Sequence, residues 1–168
     1  TPDTMKDKTK WGQPIALTDH MDSGCGAYVP NNLKVTPLTT DLSAIQSQLD
    51  VMKPYAYTHI ALGAEFGYHL LSPNAPFTEG ADYSDKKTRK YMVLLTDGRQ
   101  TEPAFGKGGI RTEAQGETNL GAICSNAKAA GITIITIAFD LRAEATKQML
   151  SDCSSDPSKD FYVAEDSS

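Results

Sequence analysis

A chain of 168 residues suits one domain with a substantial core. Its 39% hydrophobic and 22% charged residues are those of a soluble globular protein with loop-rich parts. A formal net charge of −5 with only 16 basic residues argues against nucleic-acid binding. Lys86, Lys87, Arg89 and Lys90 form the one basic cluster, and its place just before an apolar run reads as a solvated turn. No apolar run approaches the ~18 residues of a membrane span, and Thr1-Pro2-Asp3-Thr4 does not open a signal peptide. The first residue is not Met, so a fragment of a longer protein is expected. The three cysteines, Cys25, Cys124 and Cys153, form no CxxC pair, and His20, His59 and His69 are scattered, so zinc-type spacing is absent.

Residues 1–36 read as an irregular lead or insertion, with Pro2, Pro14 and Pro30 and no helical periodicity. Short strands are conceivable at Gln13–Leu17 and Leu33–Val35. From residue 37 onward the organisation sharpens. Leu42, Ile45, Leu49 and Met52 recur at helical spacing behind a Thr or Asp cap, which predicts an amphipathic helix ending before Pro54. A second helix is expected from His59 to Leu71, apolar nearly all round and therefore buried. Ser72-Pro73 stops it, and a polar loop with Pro76 and Gly80 follows.

Tyr91-Met92-Val93-Leu94-Leu95 runs into Thr96-Asp97-Gly98, which predicts a central strand buried on both faces. Asp97 then sits at the strand's C-terminal end, where open α/β sheets place ligands. As an alternative, Asp97 is a turn residue whose carboxylate bonds nearby backbone N–H groups. A long polar loop, Arg99 to Glu117, contains Gly106-Lys107-Gly108-Gly109. This is no phosphate loop, because the upstream Gly and the Ser/Thr after Lys are missing. Thr118–Ala130 reads as a third helix, with Leu120, Ile123, Cys124 and Ala127 on one face and Gly131 as its stop. The β-branched run Ile132–Phe139 is a second central strand. Arg142–Cys153 is a last helix with Ala145, Met149 and Leu150 inward, and Phe161–Val163 a short final strand. This order of elements is α/β with a mostly parallel sheet flanked by helices.

Nucleophilic catalysis finds no support, for there is no Gly-x-Ser-x-Gly and no Ser or Cys with a His and acid around it. His59 and His69 lie ten residues apart, roughly 80° short of three full helical turns, and so do not share a face. Thr58 and Asp97 are the more informative pair, since both stand where loops leave secondary structure and can reach one sheet rim. Mg²⁺ takes oxygen ligands and keeps several waters, so one carboxylate with hydroxyls can hold it. The alternative for Thr58 is a helix N-cap bonding the N–H of residue 60 or 61.

Several stretches together resemble a von Willebrand factor A domain, specifically that of the TadG-like Flp pilus-assembly proteins. They are Tyr57–Gly63, Leu70-Leu71-Ser72-Pro73-Asn74-Ala75-Pro76-Phe77 through Gly80, Val93–Thr101, Gly131–Asp140 and Leu150-Ser151-Asp152-Cys153-Ser154-Ser155. The likeness runs from about Pro37 to the end, so residues 37–168 are expected to be the C-terminal part of such a domain, Rossmann-like in fold. In that family a metal site is assembled from an Asp-x-Ser-x-Ser segment, a Thr and an Asp on three loops. Thr58 and Asp97 match the second and third. The first is absent: Asp19-His20-Met21-Asp22-Ser23 has Met21 where a Ser belongs, and Pro30 and Asn31-Asn32 replace the helix that should follow. The resemblance therefore implies a partial Mg²⁺ site, with the first strand and helix lying outside this stretch or the site degenerate.

It further implies a non-enzymatic, protein-binding domain of a periplasmic or cell-envelope pilus-assembly protein, with any membrane anchor upstream of Thr1. Thr58, Asp97 and Arg99 would form the face for a pilus-assembly or surface component. The other reading is an adhesion module that grips its partner through Mg²⁺. With the resemblance in place, Cys124 and Cys153 are candidates for a disulfide between the last two helices, worth roughly 3–4 kcal/mol on the chain-entropy account, or else two separate buried thiols. A disulfide would agree with an oxidising compartment. Cys25 is left without an assigned partner.

Overall fold

The computed structural model describes residues 35–52, 57–101, 104–105 and 111–165. The conceivable strand at Gln13–Leu17, most of that at Leu33–Val35, the Asp19–Ser23 segment, Cys25 and the Gly106–Gly109 stretch all lie outside these residues. The chain divides into two compact units, 1–56 and 57–168.

In the first unit a helix, α1, spans Leu42–Asp50. Asp41 caps it, its Oδ1 accepting from the Ala44 N–H at 3.0 Å and from the Ser43 hydroxyl at 2.6 Å. These bonds to the charged form, the Ser43 hydroxyl first, hold the Asp41 carboxyl below its ordinary pKa. None of the residues of α1 is buried, although its apolar spacing is that of a packed helix.

The second unit carries α2 (Ile60–Leu71), β1 (Lys90–Thr96), β2 (Ala104–Phe105), β3 (Arg111–Thr112), α3 (Glu113–Ala129), β4 (Ile132–Phe139), α4 (Glu144–Cys153) and β5 (Phe161–Ala164). β1, β4 and β5 form a parallel sheet in that order, with Lys90 opposite Ile132, Thr96 opposite Ala138 and Phe139 opposite Ala164. The fold is α/β, a small parallel sheet flanked by helices. β2 and β3 make a separate antiparallel ribbon, inside what the sequence suggests is plain loop.

Successive strand–helix–strand crossovers are right-handed as a rule, and these two step across the sheet in one direction. α3 and α4 therefore lie on the same face. The core sits there: Ile60, Ala61 and Ala64 of α2 meet Met92 of β1, Leu120, Cys124 and Ala127 of α3, Ile132 and Ile134 of β4, and Cys153. β4 alternates in step with it, with Ile132, Ile134, Thr136 and Ala138 buried.

The opposite face corrects the expectation that Tyr91–Leu95 is buried on both sides. Tyr91, Val93 and Leu95 are 51%, 59% and 60% exposed, while Met92 beside them is buried. β1 is also an edge strand among the described strands, not a central one; β4 holds the centre. A continuous apolar run signals apolar side chains on both faces but cannot supply the second covering layer. α2 departs similarly, burying only Ile60, Ala61 and Ala64 and leaving Leu62 and Phe66 exposed. On α4 the buried residues are Thr146, Leu150 and Cys153, and Met149 packs against the core as expected, while Ala145 is exposed. α3 begins five residues before the expected Thr118, because Thr112 caps it by accepting from the Gln115 N–H at 3.0 Å.

The Leu-Ser-Pro segment closes the far end of α2. Lys90, buried at the start of β1, donates through Nζ to the Leu71 carbonyl at 2.7 Å and to the Ala81 carbonyl, and lies 4.1 Å from the centre of the Tyr83 ring. A cation at a helix C-terminus satisfies an orphan carbonyl and complements the dipole. Gly80 lets the loop come this close, since a Cβ there would stand 2.5 Å from the Ser72 carbonyl oxygen. The Cys-Ser-Ser ending is equally structural. A disulfide joins Cys124 of α3 to Cys153 of α4, with a Cα–Cα distance of 5.2 Å. Lys128 caps α4 through the Asp152 and Ser154 carbonyls, and Ser155 exchanges hydrogen bonds with Ile134 of β4.

Candidate functional site: the C-terminal rim of the sheet

β1 ends at Thr96, and the next residues turn away at the rim. The Thr96 hydroxyl makes the turn's bonds, donating to the Gly98 carbonyl at 3.0 Å and standing 3.3 Å from the Gly98 N–H. This settles the alternative role for Asp97, since the hydroxyl before it does that work. The exposed Asp97 carboxylate has no hydrogen-bond or ion-pair partner among the described residues, and neither has the exposed Arg99 guanidinium.

Thr58 is freed in a parallel way. α2 is capped by His59, whose Nδ1 accepts from the Leu62 N–H at 3.1 Å, so Thr58 is not the cap. The Thr58 backbone instead pairs with the loop beyond Asp97. Its N–H donates to the Thr101 hydroxyl at 2.8 Å, and its carbonyl accepts from the Thr101 N–H at 3.0 Å. That pairing turns the Thr58 hydroxyl toward Gly98, where a Cβ would lie 3.4 Å from Oγ1. Two loops far apart in sequence thus bring a hydroxyl and a free carboxylate to one edge.

Gln100 completes the arrangement and is missed by motif reasoning, which stops at Thr-Asp-Gly. It is 1% exposed, and its Oε1 accepts from the Ala61 N–H at 3.3 Å. A polar residue this deep within a nominal loop would be visible in the sequence only as one more hydrophilic position.

One carboxylate and one hydroxyl are oxygen donors of the kind Mg²⁺ accepts, and that ion is content with waters for its remaining positions. The residues fit such an ion as a partial set. Among the described residues no group of three or more His, Cys, Asp or Glu side chains could hold a metal. His59 caps α2, and His69, ten residues on, stands 3.8 Å from Glu65, so the two histidines do not converge.

Elsewhere on the same edge, Asp140 adopts a left-handed conformation (φ 43°) and lines a cavity of about 380 Å³ with Leu141, Arg142, Lys147 and Glu165. Lys147 is paired with Glu144 at 2.8 Å. At the opposite end of the strands, Asp82 and Asp85 border a cavity of about 210 Å³. Hydrogen bonds from Ser84 and Thr88 respectively lower their pKa values.

The fold and rim define an α/β domain with an oxygen-bearing edge at the carboxyl ends of its parallel strands. No family model matches the chain, and no curated protein matches it by sequence. Among solved structures it is similar in fold to the pilus adhesin SpaC from Lactobacillus rhamnosus GG, with a TM-score of 0.51 and 14% identity. The similarity covers 73% of this chain and 18% of that adhesin's length. No helix among the described residues is long and apolar enough to cross a membrane.

Proposed function

We propose that this chain is a non-enzymatic protein-interaction domain of the von Willebrand factor A type, serving an envelope-associated, TadG-like pilus-assembly protein. The observation that carries the reading is the placement of the Thr58 hydroxyl against the Asp97–Gly98 turn at one rim, with both residues released from the capping and turn duties that would otherwise occupy them. Arg99, two residues beyond Asp97, adds an exposed cation with no partner among the described residues. Such a rim offers a partner a carboxylate, a hydroxyl and a guanidinium together, a polar docking surface and not an acid–base machine. The fold-level likeness to a pilus adhesin and the Leu-Ser-Pro and Cys-Ser-Ser segments support the same reading, and the disulfide suits an oxidising compartment such as the periplasm.

A Mg²⁺ ion shared with a partner's carboxylate is the second form of this function, favoured by the free Asp97 carboxylate. Thr58 and Asp97 would then be its ligands from this chain, and the ion would supply the charge that bridges two anionic groups. The test compares the chain and Asp97→Ala for retention of purified pilus components, with Mg²⁺ or with chelator. Asp97→Ala should lower retention about tenfold, equivalent to ~1.4 kcal/mol, without moving the thermal midpoint. Loss on chelation identifies the bridged form, and loss by mutation alone the direct one. Equal retention by both proteins in every condition refutes the rim.

A further inference from the structure

We infer that Gln100 is the positioning residue of the rim, a buried clamp that sets Thr58 against Asp97 and is itself seated by Gly116 of α3. The inference rests on the rim reading above and extends it to residues that touch no ligand.

The N-terminus of a helix leaves its first N–H groups unpaired. In α2 the donor of Leu62 is taken by the helix's own cap, His59, at 3.1 Å. The donor of Ala61 is taken from outside, by Gln100 Oε1 at 3.3 Å, and Ala61 is itself buried. Gln100 lies three residues after Asp97, so this bond fastens the Asp97 loop to the first turn of α2. The reciprocal bonds between Thr58 and Thr101 fasten the adjoining residues. Three tethers therefore join the stretch 58–61 to the pair Gln100 and Thr101. The two candidate ligands stand on the free ends of that joint.

Gly116 explains why Gln100 can occupy its place. A Cβ at Gly116 would come within 2.7 Å of the Gln100 Cγ, Cδ and Nε2 atoms, so α3 offers the amide a seat that only glycine leaves open. Gly121, on the same helix, has open space where its Cβ would be. The pair makes a controlled experiment, since both substitutions give α3 the same gain in helix propensity and only one meets the clamp.

The measurement is amide hydrogen exchange on the whole chain, followed at Ala61 and Thr101 and, for reference, at Ile134 and Thr136 of β4. Gly116→Ala should speed exchange at Ala61 and Thr101 by about tenfold relative to Gly121→Ala while the β4 amides stay protected. Gln100→Met, which keeps the bulk and removes the acceptor, should do the same at Ala61. Gln100→Glu should restore protection at about pH 4.5, where burial keeps its carboxyl neutral and an acceptor oxygen is retained. If Gly116→Ala fails to fold, the two Gln100 variants decide alone. Exchange that rises equally in β4 would show Gln100 to be core support only, and no change at Ala61 would show that no clamp exists; either result overturns the inference. The readout requires no ligand, so the clamp can fail while Asp97→Ala still lowers partner retention, and the converse.

Discussion

Removing the Cys124–Cys153 disulfide tests the architecture most directly, because it staples the two crossover helices that cover the sheet. The bonded residues are 29 apart in sequence. Closing a loop of that size removes roughly 12 cal/mol/K from the unfolded chain, or about 3.6 kcal/mol at 25 °C. With a urea dependence of about 1–3 kcal/mol per M for a domain of this size, the unfolding midpoint should fall by roughly 1–4 M. Both sulfurs are buried, Cys124 at 1% and Cys153 at 3% exposure, so reductant should reach them only through opening. The assay is therefore equilibrium urea unfolding in a Cys25→Ala background, comparing oxidised protein with protein reduced under denaturant and refolded in reductant. The m-value should change little or rise, since the unfolded chain expands when uncrosslinked. A midpoint that moves by less than about 0.3 M would refute the reasoning, for it would mean that α3 and α4 are held wholly by packing and by the Lys128 caps.

The two faces of the sheet should respond differently to mutation. Ile134→Ala, in the covered face, should cost about 2–5 kcal/mol, whereas Leu95→Ser, in the open face, should cost under ~1 kcal/mol, both read by urea unfolding. Asp156 gives a pH test. The Lys159 ammonium and Ser158 donors hold its carboxyl down at about 2, against an ordinary value of 3.8. A depressed folded pKa contributes stability that is complete above the unfolded value and is lost as pH falls through the folded one. Asp156→Asn should therefore lower the urea midpoint above about pH 4, with the difference closing toward pH 2. A difference that persists undiminished at pH 2 would refute this assignment.

Local sequence carried much of the fold. The β-branched run Ile132–Phe139 can scarcely be anything but a strand, and its limits match those observed. Gly131, with φ at 79°, ends the turn before it as a glycine does. That Thr58 and Asp97 stand at one rim was legible because strand ends and helix leads are where α/β sheets gather polar groups. Hidden from that reasoning were the residues that relieve the pair of other duties, His59 and Thr96, since a cap or turn bond depends on which of two adjacent polar side chains reaches the backbone. Gln100 was hidden for a related reason. Burial of a polar side chain depends on what folds over it, and its partners at Ala61 and Gly116 are distant in the chain.

Sequence alone determined the order of the helices and of the three parallel strands of the second unit and that they make an α/β sheet, though not the β2–β3 ribbon or the start of α3, because turn chemistry and side-chain periodicity act over a few residues. Only the tertiary structure decided that Tyr91, Val93 and Leu95 stand uncovered, that β1 takes the edge, that Cys124 meets Cys153, and that Thr58 turns toward Gly98. Each of these depends on which elements pack together, and an apolar or polar side chain carries no record of what will lie against it.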